Sequence, residues 1–171
     1  TTAAIKAVIS GPINGTDIRH MRTLINEHSL SSIDITNATI KSGGVYYGTY
    51  KSVANAIGNS AFIDCLKLTN ITLPKGISKI ESNAFARSGL TGIVIPNSVT
   101  TIEGDAFAYC KNLNTVFIGP NIKNLGQGVF YNSDVKDVYI YATTPPSTPA
   151  YLFSSNPVIH VYASSLSAYK A

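Results

Sequence analysis

Phenylalanine returns along this chain at an almost fixed interval. Phe62, Phe85, Phe107, Phe130 and Phe153 are separated by 23, 22, 23 and 23 residues, and each follows an aliphatic residue: Ala61, Ala84, Ala106, Val129 and Leu152. Five of the six Phe in the protein lie on this ladder. Self-similarity at a period between about 20 and 50 residues marks a chain built from stacked repeats, because a unit this short cannot bury an apolar face by itself. The equivalent Phe side chains are then expected to form one buried column.

A second signature travels with the first. Leu68-x-x-Ile71-x-Leu73 recurs as Leu90-x-x-Ile93-x-Ile95, Leu113-x-x-Val116-x-Ile118 and Val135-x-x-Val138-x-Ile140. The last two apolar positions of each alternate with variable ones, as in a short strand that shows one face to a core. Pro74-Lys75-Gly76, Pro96-Asn97-Ser98 and Gly119-Pro120-Asn121 follow as turns, since their residues lack an amide donor or favour turn conformations. A further apolar pair then comes in each unit: Ile77 and Ile80, Val99 and Ile102, Ile122 and Leu125.

The combination Leu-x-x-Ile-x-Leu-Pro, Ile-x-x-Ile and Ala-Phe-x-x-Cys, read from Leu68 to Cys110, resembles the BspA-like leucine-rich repeats of bacterial surface proteins. Gly11 to Arg19 and Leu30-x-x-Ile33-Asp34-Ile35 resemble the segment that opens such domains. Ala142 to Pro146 and Tyr162 to Lys170 resemble the one that closes them, so the likeness extends over essentially the whole chain. It implies an α/β, mainly β fold: a right-handed solenoid with one short strand per repeat of about 23 residues and a helical N-terminal cap. It also implies a surface-exposed or secreted bacterial protein that adheres to host or bacterial surfaces through protein contacts.

Residues 1–171 are expected to form a single domain: 1–56 as N-terminal cap, first repeat and loop, 57–140 as regular repeats, and 141–171 as last repeat and C-terminal cap. Ile5 to Ile9 alternates as a first strand. Thr16 offers an N-cap hydroxyl and Asp17 suits a first turn, while Ile18, Met21, Leu24 and Ile25 share one helical face, which predicts a helix from Asp17 to about His28. Its apolar face is expected to cover the open end of the stack. Lys41 to Ala56, rich in Gly and Tyr, reads as an inserted surface loop. Thr144-Pro145-Pro146-Ser147-Thr148-Pro149 lacks three amide donors and reads as a rigid exposed connection.

Composition adds exclusions. Hydrophobic residues make up 44% of the chain and the formal charge is +4, but the 13 Lys and Arg are scattered and no basic stripe with interleaved aromatics exists for nucleic acid. No apolar run reaches the roughly 20 residues of a membrane span, and no charged start with an apolar core marks a signal peptide. Cys65 and Cys110 occupy the same repeat position two units apart, which puts them about 10 Å from each other, too far for a disulfide. Both read as buried free thiols.

No catalytic constellation emerges, so the chain reads as a non-enzyme without cofactor or metal. Glu81 and Glu103 share one repeat position and would lie side by side as paired carboxylates do in some active sites, but a solvated turn position explains them better. His20 and His28 lack a third ligand. Gly126-x-Gly128 is not surrounded by a phosphate-loop pattern.

One outward row carries the binding expectation. Between the inward residues of successive strands stand Asp34, Thr72, Val94, Phe117, Tyr139 and, depending on the register of the last strand, Tyr162 or His160. Phe117, Tyr139, Tyr141 and Tyr162 thus make up a candidate ligand-binding strip. The partner is read as a protein, a host matrix or bacterial surface component, and the chain itself as monomeric. The alternative is a carbohydrate-binding module or a structural arm of a larger surface complex, with the tyrosines stacking on sugar rings.

Overall fold

The computed structural model describes residues 5–149 and 151–170. The chain opens with β1 (Ile5–Val8), β2 (Gly11–Ile13) and α1 (Gly15–Glu27), and continues through β3 (Leu30–Asp34) and β4 (Ala38–Ile40). An antiparallel hairpin of β5 (Gly43–Tyr47) and β6 (Tyr50–Ser52) precedes β7 (Ala56–Ile57). From there each coil is a principal strand, a sharp turn, a return strand and a turn bearing the ladder Phe. The strand pairs are β8 (Asn70–Thr72) with β9 (Lys79–Ile80), β10 (Gly92–Ile95) with β11 (Thr101–Ile102), and β12 (Thr115–Ile118) with β13 (Asn124–Leu125). The chain closes with β14 (Asp137–Ile140), β15 (Val158–His160), a 3-10 turn at Ala163–Ser165 and the short helix α2 (Leu166–Lys170).

Parallel stacking produces four sheets: β1-β3-β8, β10-β12-β14-β15, the return sheet β13-β11-β9-β7, and the small pair β2-β4. The expectation of one strand per coil is therefore corrected, because each regular coil has two. Stacking sets every extended pair of residues beside an equivalent pair, so Ile80, Ile102 and Leu125 enter a ladder as well as the core.

The Phe-bearing turn is built by paired left-handed residues. Ser60 and Asp64 flank Phe62, Asn83 and Arg87 flank Phe85, Asp105 and Tyr109 flank Phe107, and Gly128 and Asn132 flank Phe130, with φ between 54° and 64°. This twist turns alternate amides toward the next coil. Ser60, Phe62 and Asp64 donate to the carbonyls of Ser82, Ala84 and Ala86 at 3.0, 2.7 and 3.0 Å. The side chain at the centre points inward, and the expected column forms. Phe62, Phe85, Phe107 and Phe130 are buried, Phe153 half-buried, and successive ring centroids lie 5.4, 5.1, 5.7 and 5.2 Å apart with planes within 16°.

Cys65 and Cys110 are free and buried. The Cys110 thiol lies 3.1 Å from the Phe85 carbonyl and Ser133, its counterpart one coil on, donates to the Phe107 carbonyl at 2.7 Å. Burial pushes the Cys65 thiol up to about 11, and Cys110 upward too, so neither is a ready nucleophile.

Three local expectations are corrected. The helix N-cap is Asn14, not Thr16: Asn14 Oδ1 accepts from the Thr16 amide and Asp17 Oδ2 from the Asn14 amide, both at 2.8 Å, because Asn forms the reciprocal box two residues earlier. The segment from Lys41 to Ala56 is a packed hairpin, whose Tyr46 ring is buried against Gly58 and whose Gly44 abuts Gly15 of α1 so closely that a Cβ on Gly15 would stand 2.1 Å from the Gly44 oxygen. Within the proline-rich segment Pro146 is buried, and Ser147, which keeps its amide, bridges Asn124 in the place of a return strand.

Candidate functional site

The parallel strands stack in register, so outward residues fall into straight rows. Val94 aligns with Phe117, Phe117 with Tyr139, and Tyr139 with His160. The spacing of parallel strands, about 4.8 Å, nearly matches the separation of stacked rings. Phe117 and Tyr139 accordingly lie 4.8 Å apart at 15°, and Tyr139 and His160 4.2 Å apart at 7°. All three rings are half-buried. Tyr141 and Tyr162 form a second, looser rung at 6.0 Å and 47°, both exposed.

Phe117, Tyr139, Tyr141 and Tyr162 thus all reach one face, and the register of β15 settles which residue continues each row. His160, and not Tyr162, extends the Phe117–Tyr139 column, while Tyr162 pairs with Tyr141. The strand-to-strand offset here is 21 residues, from Tyr139 to His160, against 22 from Phe117 to Tyr139. The regular step therefore does not predict the last rung, even though the Phe ladder keeps its interval to Phe153. His160 Nε2 lies 2.8 Å from Asp137 Oδ1, which fixes the imidazole plane against Tyr139.

A groove adjoins the column. The ladder is interrupted between β8 and β10, which belong to different sheets although Thr91 still donates to the Thr69 carbonyl at 3.1 Å. Over the break lies a mostly apolar depression of about 380 Å³, lined by Thr72, Lys75, Val94, Pro96 and Phe117 among others. Sequence periodicity misses it, because Leu90-x-x-Ile93-x-Ile95 matches its neighbours and gives no sign that the ladder fails there.

The remaining candidates serve the scaffold. Glu81 Oε2 accepts from the Asn59 amide at 2.9 Å and Glu103 Oε2 from the Ser82 amide at 3.0 Å, so each carboxylate ties its coil to the one before. Lys79 Nζ sits between the two, 2.6 Å from Glu103 and 3.9 Å from Glu81. Burial of Glu103 raises its pKa, but the bonds from Lys79 and Ser82 outweigh that and leave it lowered. At the position that follows in the next coil stands Gly126, where a Cβ would lie 2.3 Å from the Gly104 nitrogen. His20 and His28 are exposed, and among the described residues no group of three or more His, Cys, Asp or Glu is placed to hold a metal ion. No helix among them is long and apolar enough to cross a membrane.

Comparison with solved structures supports the architecture. A Treponema pallidum leucine-rich repeat protein is 23% identical, with 80% of this chain covering 59% of that one at a TM-score of 0.51. A Eubacterium ventriosum leucine-rich repeat protein is 18% identical, with 94% of this chain covering 40% of that one at a TM-score of 0.58. A Bacteroides ovatus leucine-rich repeat protein is 19% identical, with 80% covering 32% at 0.50. The chain thus spans less than two thirds of each, and identities this low speak to fold alone. No curated protein is similar enough to count as a relative. The family model for the BspA type leucine rich repeat region matches six copies across residues 23–159, so the chain belongs to that family.

Proposed function

We propose that the chain is a non-catalytic recognition scaffold, displayed on the bacterial surface or secreted, which adheres through polypeptide contacts to host or bacterial surface proteins. The stacked column Phe117–Tyr139–His160, with the Tyr141–Tyr162 rung beside it, is the contact strip. Membership of a repeat family supports a scaffold role, and the column is the observation that carries the reading. Aromatic side chains held by their neighbours lose little entropy on binding and offer large contact area with polar tips.

The same geometry weighs against the carbohydrate alternative. A pyranose stacks its C–H face on an aromatic face, but both faces of Tyr139 are taken, by Phe117 at 4.8 Å and His160 at 4.2 Å. What the column offers outward is ring edges, a phenol hydroxyl and an imidazole, which suit carbonyl groups and side chains of a polypeptide. The groove next to Phe117 adds a recess for an apolar side chain.

The test is a binding screen of the folded chain against immobilised matrix proteins and a glycan array, run beside a Tyr139→Ala/Tyr141→Ala variant. Binding to protein that the variant loses supports the reading. Glycan binding lost in the same way would promote the alternative, and unchanged binding by the variant would remove the strip from either account.

A further inference from the structure

A second concave site lies on the side of the coils formed by the Phe-bearing turns, away from the aromatic column. It is a cleft of about 590 Å³ lined by Gly104, Asp105, Gln127, Gly128, Tyr131 and Tyr151. Its tyrosines come from two successive coils, one residue after Phe130 and two before Phe153. Tyr131 makes an edge-to-face contact with Tyr109, with centroids 5.6 Å apart at 81°, which steadies its ring, and Tyr151 is 75% exposed. The floor is bare backbone. A Cβ on Gly128 would stand 2.5 Å from Asp105 Oδ1, so glycine there is what lets the carboxylate lie over the neighbouring coil.

Asp105 is exposed, and among the described residues no Lys, Arg or His approaches its carboxylate within ion-pair distance. The two comparable acids along these turns are engaged: Asp64 by Arg87, and Asp134 by Lys111. We propose that this cleft receives the ammonium group of a lysine side chain from a partner polypeptide. The carboxylate supplies the counter-charge and the tyrosine rings supply cation–π faces and cover for the aliphatic stem. Saccharide hydroxyls could bond the carboxylate and the Gln127 amide but would leave the Asp105 charge uncompensated, whereas an ammonium group neutralises it, so the cleft's charge favours a cation.

The site is independent of the aromatic column, and its failure leaves that reading untouched. The experiment is an amide NMR titration of the folded chain with Nα-acetyl-lysine-methylamide, beside the same compound acetylated on Nζ, free butylammonium and glucose. Saturable shifts at Gly104, Gln127 and Gly128 are expected with the lysine compound, weaker ones with butylammonium, which lacks the flanking amides of a polypeptide. Binding should weaken about fivefold or more in Asp105→Asn and in Tyr151→Asn, and about as much on Nζ acetylation. Asn tolerates the positive φ of 56° and 67° at these positions, so both variants keep the turn. Equal shifts with the Nζ-acetylated compound, shifts with glucose alone, or an unchanged Asp105→Asn titration would overturn the proposal. Butylammonium binding as well as the lysine compound would overturn its polypeptide part.

Discussion

Arg22 Nη1 donates to the Ile63 carbonyl at 2.9 Å, and the same nitrogen lies 3.0 Å from the Ala61 carbonyl. In interior coils the equivalent oxygens, those of Ala84 and Ala86, accept from the amides of Phe62 and Asp64. The coil that carries Phe62 has α1 on that side in place of another coil. A buried guanidinium therefore stands in for two missing amides, and Tyr46 Oη serves the third orphan, the Asn59 carbonyl, at 2.8 Å. The helix caps the stack by chemistry as well as by covering apolar surface.

Replacing Arg22 with Met keeps the aliphatic stem and removes the donors. Two buried carbonyls lose charged partners, so stability is expected to fall by about 2 to 4 kcal/mol, read from the midpoint of chemical denaturation. A loss below about 0.5 kcal/mol would mean that water takes over the capping role.

Alkaline conditions test Tyr46. Burial pushes its phenol well above the ordinary range, with the nearby Glu81 carboxylate adding to the effect. The folded state then holds a proton that the unfolded chain releases near pH 10, so the contribution of this group is intact below about pH 10 and lost as pH rises further. Tyr46→Phe should cost about 1 kcal/mol at neutral pH and make the decline above pH 10 shallower, measured by denaturation at a series of pH values.

The phenylalanine column predicts a gradient. Phe107→Ala removes a ring stacked on both sides and should cost about 3 to 5 kcal/mol, whereas half-buried Phe153, stacked on one side, should cost about half as much. Thermal and denaturant unfolding of the two variants decides this, and equal losses would contradict a column that weakens at its end.

Gly126→Ala is a test of coil spacing. A methyl group there meets the Gly104 backbone, which cannot move aside as a flexible side chain could, so a loss of about 1 to 3 kcal/mol is expected. Gly76→Ala has open space around its Cβ and should be close to neutral in the same denaturation assay.

What the sequence made legible follows from its period. Equivalent residues in stacked parallel coils must align, so the Phe column, the unpaired cysteines and the Phe117–Tyr139 row could all be read from spacing. Features that depend on what lies beside a coil escaped. Arg22 looks like any surface helix residue until the orphan carbonyls of the Phe62 turn are placed next to it. Tyr46 looks like a loop residue until Gly58 makes room for its ring. The return strands show in the sequence only as core positions, because two residues carry too little alternation to signal a ladder. The period alone does not choose between His160 and Tyr162, because the offset of the last strand is shorter than the others, and the break between β8 and β10 leaves no trace in composition.

The straight row from Val94 to His160 makes this protein a ruler. Each coil adds one mark, about 4.8 Å further along the stack, and the mark's identity is independent of the core behind it. Duplicating a unit in the gene would lengthen the reach of the strip by one graduation while repeating the same kind of coil-to-coil contact, and deleting one would shorten it. Tandem copying, rather than redesign, is then the simplest route by which such a molecule comes to match partners of different span.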